Sequence, residues 1–409
     1  MNQNKGNRIL KIILDSIFLL LLFALLVGVV ALRVQTEKQP PILPAATPAP
    51  VGEGASVTLF EAAPAVTPAP TPTPTPEPTP VPEPEYFTLS FVGDCTLAED
   101  SSKQGWATAY TSVVGKDYSY PFANTVQYFA DDYMTLANLE CTLTDKRYSS
   151  IEWYSFLAPS AYVNIMLEGA VDFVTLANNH VQDFGSAAYG DMITTLQSAG
   201  LPYAGENETY VFERGGGLKV GVYCLYNDKQ PTRELLDQGL RKLKEAGAEF
   251  TIAALHWGVE GAYSVSDTQV TMGHYAIDTG FNMVYGCHSH RLEPVEQYNG
   301  GVILYSMANW SFGGHTNPDD YDTAIAQITV KRLGSETSID GMKLIPCSIS
   351  SSAHNHAGHS SADNCLNNYQ PTPYEEDSED WKRALSKLDG TYEGADYKPD
   401  YQSLIYGTS

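Results

Sequence analysis

The chain has 409 residues, 43% of them hydrophobic, with 48 acidic against 24 basic side chains and a formal net charge of −24. Nucleic acid and anionic membrane faces recruit basic patches, so this balance argues against both as partners. Six cysteines are too few for a disulfide scaffold in a chain of this length.

Residues 16–32, SIFLLLLFALLVGVVAL, carry no charge. Extended back to residue 12 they give about 20 residues, enough to cross a bilayer as a helix. A cleaved signal peptide shares the basic start, but the apolar core is long for one and the cleavage site around Ala31-Leu32-Arg33 is poor. We therefore expect an uncleaved anchor over 12–32. Lys5, Arg8 and Lys11 precede it, which puts residues 1–11 in the cytoplasm and the rest outside the cell membrane. Residues 33–85 follow as a linker; 40–84 hold 15 of the 25 prolines, favour polyproline II and cannot bury a core.

From Tyr86 strand and helix signals alternate, and five short apolar runs end on metal-binding side chains. They are LSFV before Asp94, MTLA before Asn138 and Glu140, FVTLA before Asn178-Asn179-His180, TIAAL before His256, and NMVYG before His288 and His290. In sheets whose strands are joined by helices, ligands collect at the carboxyl ends of strands. Carboxylates, amides and imidazoles gathered there suit a hard or borderline divalent metal. An extended backbone over 288–290 would turn both imidazoles to one side. Cys95, Cys141 and Cys287 adjoin these positions and can be buried hydrophobes, a bridge such as Cys95 to Cys141, or a thiolate ligand; Cys347 and Cys365 are a further possible pair.

Between the strands, helices are expected around Phe122, Val126 and Phe129; over Tyr189 to Leu196, stopped by Gly200; from a Thr232 cap to Gly247; and from a Ser266 or Asp267 cap to Gly280. Strands at 302–306, 323–330 and 342–349 follow without long helices and suggest a second, mostly antiparallel sheet behind the first. The α/β domain is expected over 86–350. Residues 351–409 read as an acidic wrapping tail with a short helix near Trp381 to Leu388. The His354, His356, His359 cluster reads as a solvated loop and His274 as structural, whereas His315 can reach the rim of the site.

ANNHVQDFG (177–185) resembles the signature of calcineurin-like metallophosphoesterases, and GCHSH (286–290) resembles their second histidine element. More closely, FVGDCTLA, NLECTLTD, LANNHVQDFG, AGEN, HWGVEGAYSVSDTQ, GCHSHRLEPVEQYNGGVILYSMANWSF and LIP match the CapA/PgsA poly-γ-glutamate capsule biosynthesis proteins in order and spacing over about 88–349. The resemblance implies a four-layer α/β/β/α sandwich and one or two divalent ions, Mn, Fe or Zn. Metal ligands would be Asp94, Glu140, Asn179, His256, His288 and His290, with His180 as the catalytic acid. Asn138 would replace or support Glu140. Asn178, Asp183 and Glu260 would orient imidazoles or a water, and Asn309, with Trp310 beside it, would return to the site near substrate. The first strand lacks the superfamily's Asp-x-His histidine, so one metal is short of a ligand. Ala308, Asn282 and Gly261 replace the family's usual Gly, Asp and Tyr.

The expected reaction is hydrolysis or transfer at a phosphoester, or at an amide or ester of an acidic polymer, in the synthesis of poly-γ-glutamate or a related envelope polymer. The competing expectation is a non-catalytic, metal-bound assembly component that holds polymer beside capsule synthase subunits.

Overall fold

The computed structural model describes residues 83–226, 231–352 and 367–394. The chain divides at Glu77/Pro78, and all of these residues belong to the second unit. The expected anchor at 12–32, the linker up to residue 82, the His354, His356, His359 cluster and Cys365 lie outside the described residues. No helix among the described residues is long and apolar enough to cross a membrane.

In chain order the strands are β1 (Glu85–Thr96), β2 (Met134–Leu139), β3 (Thr142–Leu143), β4 (Leu157–Ala158), β5 (Phe173–Thr175), β6 (Tyr203–Ala204), β7 (Glu208–Phe212) and β8 (Val220–Leu225). They continue as β9 (Phe250–His256), β10 (Met283–Cys287), β11 (Val295–Tyr298), β12 (Gly301–Leu304), β13 (Asn309–Phe312), β14 (Asp322–Leu333), β15 (Glu336–Ser348) and β16 (Thr372–Pro373). One sheet has the order β16-β15-β14-β1-β2-β5-β6, with β13 also paired to β1; the other runs β11-β12-β10-β9-β8-β7. Within them β1-β2-β5-β6 and β8-β9-β10-β12 are parallel. Short β3 and β4 pair beside them.

Alternation along the strands makes the layers. In β9, Ile252 and Ala254 point into a core that also holds Leu89, Phe91 and Leu136 of the first sheet, so the two sheets pack face to face. Their neighbours Ala253 and Leu255 point the other way, under the helices Arg233–Glu245 and Asp267–Thr279. The outer face of the first sheet carries Ala137 and Leu139 against Ile165, Met192 and Leu196, from the helices Val163–Glu168 and Gly185–Ala199. The result is four layers, helix, sheet, sheet, helix.

The helix punctuation follows the sequence. Thr232 caps Arg233–Glu245, and Ser266 with Gln269 forms a capping box. Gly200 and Gly280 close their helices in the left-handed region. Two expectations need correction. Pro121 and the polar Asn124-Thr125 break the segment around Phe122 and Phe129 into two 3-10 turns, Tyr120–Phe122 and Val126–Tyr128, in place of a helix. The later strands do not form the second sheet either. β14 and β15 extend the first, because β1 takes β14 as its antiparallel neighbour from Glu85 to Phe91, while β12 joins β10 in the other.

Residues 367–394 pack back on this sheet. The helix Glu379–Leu388 carries Lys387, 2% exposed, whose ammonium lies 2.7 Å from both Asp320 and Asp322. Arg383 also grips Asp322, with its Nη2 at 2.6 Å. The tail helix is thereby tied to the connection between β13 and β14.

A candidate metal centre at the joined ends of two sheets

β1, β2 and β5 deliver Asp94, Asn138, Glu140, Asn178, Asn179 and His180 from one sheet, and β9 and β10 deliver His256, His288 and His290 from the other. The segment Tyr305–Asn309 clamps the two ends together. The backbone N–H of Asp94 donates to Ala308 O at 2.8 Å, and that of Met307 donates to Gly286 O. A Cβ on Gly93 would lie 2.1 Å from Ala308 O, and one on Gly286 2.0 Å from Tyr305 O, so both positions need glycine. Ala308 sits at φ +59°, in the region a glycine would occupy without strain.

Two groups of three side chains converge: Glu140, His256 and His288, and Asp94, Glu140 and His290, with the ligand atoms of each group within 4.8 Å of one another. Glu140 belongs to both. It is fully buried, and its two carboxylate oxygens accept no hydrogen bond among the described residues, although His256 Nε2 stands 3.4 Å from Oε1. A buried carboxylate left so is costly unless a cation satisfies it. Burial first, then the Asp94 charge, push the Glu140 pKa up to about 8. Burial also acts to raise Asp94, but the His290 hydrogen bond and the His256 charge outweigh it and hold Asp94 down at about 2. For His290 burial works downward, and the Glu140 and Asp94 charges overcome it, to about 9. Carboxylates and imidazoles in this arrangement suit a divalent metal ion.

The amides hold these side chains in place. Asn138 Nδ2 donates to Asp94 Oδ1 at 2.8 Å, and Asn138 Oδ1 accepts from Asn178 Nδ2 at 3.0 Å. Asn178 Oδ1 in turn accepts from the backbone N–H groups of His180 and Val181, which shapes the turn that presents Asn179 and His180. Asn179 Oδ1 lies 2.8 Å from His256 Nε2, and His288 Nδ1 lies 3.0 Å from the same nitrogen. Glu260 reaches His288 Nε2 only at 3.7 Å from an exposed position. His180 Nδ1 contacts Asp183 at 3.0 Å, and Phe156 packs edge-on against its ring. Burial alone would lower the His180 pKa, and the Asp183 hydrogen bond with the Glu140 charge turns the shift upward.

His288 and His290 reach the cluster by a different route from the one expected. The strand ends at Cys287 and both residues have positive φ, +108° and +56°, so the segment is coiled rather than extended. The two imidazoles consequently enter different groups. Trp310 belongs to the outer core, packed on Phe122 and Phe129, and cannot meet substrate. Asn309 is 2% exposed and its Oδ1 accepts no hydrogen bond among the described residues. Cys95, Cys141 and Cys287 are buried and unbridged, and burial pushes all three thiols up, which leaves them protonated.

A cleft of about 800 Å³ opens over Glu140, Asn179, His180 and His290. His315 reaches its rim. Sequence reasoning passed over much of its wall, including Trp153, Tyr154, Tyr226 and Glu206. The one available signal was an aromatic run, IEWYSF, in a segment without strand or helix periodicity.

A profile of the family described as "Bacterial capsule synthesis protein PGA_cap" matches residues 88–313, more than half of the chain and every residue of the two ligand groups. The chain belongs to the PGA_cap family. Among its relatives are the Capsule biosynthesis protein CapA of Bacillus anthracis, 24% identical over 279 residues that cover 61% of this chain and 65% of that protein, and the PGA biosynthesis protein CapA of Bacillus subtilis (strain 168), 24% identical over 273 residues that cover 61% and 69%. This PGA_cap protein thus spans somewhat less than two thirds of the length of the first of them. Among solved structures it is similar to the calcineurin-like phosphoesterase YfkN from Bacillus subtilis, at 16% identity and a TM-score of 0.41, covering 64% of this chain and 91% of that one.

Proposed function

We propose that this PGA_cap protein is a membrane-anchored, extracytoplasmic, metal-dependent hydrolase acting on a cell-envelope polymer in capsule synthesis. The observation that carries the reading is Glu140, a fully buried carboxylate that accepts no hydrogen bond among the described residues and has His256 Nε2 at 3.4 Å, where two candidate ligand groups meet at the floor of an open cleft. A purely structural carboxylate would be hydrogen-bonded.

Divalent metal held by Asp94, Glu140, Asn179, His256, His288 and His290 would acidify a water and polarise the scissile phosphoester or carbonyl group. Asn138 and Asn178 keep Asp94 and the Asn179-His180 turn in place. Asp183 fixes the His180 ring through Nδ1, which leaves Nε2 to hand its proton to the departing oxygen or nitrogen as the water oxygen bonds to phosphorus or carbon. Phe156 packs against that imidazole in a T-shaped contact.

The deciding experiment supplies the full chain with Mn²⁺, Zn²⁺ or Fe²⁺ and measures turnover of bis-p-nitrophenyl phosphate and of γ-linked glutamate oligomers. Hydrolysis that chelator abolishes is the expected result. No turnover of either with any of the three metals bound would sink the enzyme reading.

The address is tested separately. The uncharged run at 16–32 and the Pro-rich stretch behind it motivate an anchor with the domain outside. Protease added to intact, wall-stripped cells should release a soluble fragment containing residues 86–394. Complete protection of the domain would overturn the orientation.

A further inference from the structure

Two polar side chains beside Asp94 have no partner. Thr96 is fully buried and its Oγ1 makes no hydrogen bond; Asn309 is 2% exposed and its Oδ1 accepts none, in both cases among the described residues. Buried oxygens left in this state are destabilising, and native proteins keep few of them. The sheet brings both to the same carboxylate.

At its carboxyl end β1 has parallel neighbours on both sides, and Asp94 stands in register with Asn138 of β2 and with Asn309 of β13. Registered neighbours project from one face of a sheet, so Asn138, Asp94 and Asn309 form a row across the three strands. One flank of the row is occupied, since Asn138 Nδ2 donates to Asp94 Oδ1 at 2.8 Å. The Asn309 flank is not. Thr96 follows Asp94 by two residues and returns to the same face, because the extra residue in the register shift between Asp94↔Asn309 and Thr96↔Phe312 lies in β13. The alternate residues Cys95 and Trp310 confirm the direction, for both point the other way into the outer core. Thr96 also lines the cleft together with Glu140 and His290.

We propose that Thr96 Oγ1 and Asn309 Oδ1 are further ligands of the ion held by Asp94, Glu140 and His290, and that this ion is an oxygen-preferring one such as Mn²⁺. The inference rests on the reading of the cluster as a metal centre, and it adds two ligands and an ion class to one half of that centre. With them the position offers oxygens from four residues and a single imidazole, whereas Glu140, His256 and His288 offer one carboxylate and two imidazoles. Carboxylate, carbonyl and hydroxyl oxygens suit Mn and Mg, while imidazoles suit Zn and Fe. The two halves of the centre are therefore chemically unlike.

The test compares the full chain with its Thr96→Val and Asn309→Leu variants, by elemental analysis after loading with Mn²⁺ and by calorimetric titration of the metal-free proteins with Mn²⁺ and with Zn²⁺. Each variant should bind Mn²⁺ at one position at least about tenfold more weakly, the lower end of what perturbing a metal's surroundings costs in affinity. Zn²⁺ binding should suffer less. Asn309→Asp, which keeps an oxygen in place, should bind Mn²⁺ as well as the wild type or better. Thermal melts separate ligation from packing. Without metal, Thr96→Val removes an unpartnered hydroxyl and should melt at the wild-type temperature or above; with Mn²⁺ the wild type should gain more than the variant. Thr96→Val barely alters the side chain's shape and decides the case should Asn309→Leu not fold. Wild-type Mn²⁺ affinity in either variant removes that residue from the ligand set, and in both it overturns the inference while leaving the metal centre standing. Equal weakening of Mn²⁺ and Zn²⁺ overturns the ion class. A wild-type chain that takes up no Mn²⁺, Zn²⁺ or Fe²⁺ defeats the metal centre itself.

Discussion

Glu140→Gln is expected to strip the protein of divalent metal, from one or two ions per chain to about a tenth of that or less, because it removes the one anionic ligand common to both groups. Elemental analysis of wild type and variant after identical loading reads this directly. Retention of the wild-type metal content would refute the site. A second signature appears in the metal-free protein. The folded Glu140 carboxyl has its pKa raised from 4.5 to about 8 by burial and by Asp94. Between those values the folded chain keeps a proton that the unfolded chain releases, so metal-free stability should fall as pH rises from about 5 to 8, by a few kcal/mol at about 1.4 per pH unit. Glutamine cannot ionise, so thermal melts of chelated Glu140→Gln should lose that part of the slope.

His180→Asn should do the opposite: leave metal content near wild type and cut hydrolysis about 100-fold, the scale of losing a positioned general acid. The motivation is geometric, since His180 belongs to neither ligand group and is oriented by Asp183 at the cleft wall. Metal content and initial rates on a phosphodiester are measured side by side. Wild-type rates would remove His180 from the chemistry. Polymer production in cells then separates enzyme from scaffold: if His180→Asn supports normal polymer levels while Glu140→Gln does not, the metal serves structure or binding.

Local signals made much of this legible in sequence. A polar side chain at a strand end needs only a short apolar run and a polar stop, so Asp94, Asn179, His256 and the 288–290 pair could be singled out without knowing which strands are neighbours. Capping is equally local, and Ser266 with Gln269, or Gly200, can be read from a few residues. Sheet membership is not local. Whether β14 lies beside β1 or behind it depends on pairing across more than 200 residues, as between Phe87 and Val330, and both arrangements satisfy the same alternation. The backbone of His288 and His290 escaped for a related reason. Positive φ at a non-glycine is imposed by surroundings, here the Tyr305–Asn309 segment drawn across Gly286. Trp153 and Tyr154 have no periodicity to betray them, and only the fold places them at the wall of the cleft.

The pairing of β1 with β14 separates the stretch that the family profile matches from the stretch that packs as one unit. The family match ends at residue 313, before β14 begins, yet β1, which carries Asp94, is hydrogen-bonded to β14 from Glu85 to Phe91. A fragment cut at 313 would bare one side of its central strand and invite edge-to-edge aggregation. Extending it to residue 350 restores β14 and β15 but removes Lys387 and Arg383, the partners of Asp320 and Asp322. Opening such a cluster costs about 3–5 kcal/mol, a large part of a domain's stability. Expression trials should therefore give soluble protein for 83–394 and aggregates for 83–313; a soluble, metal-binding 83–313 would show that the borrowed strands are dispensable.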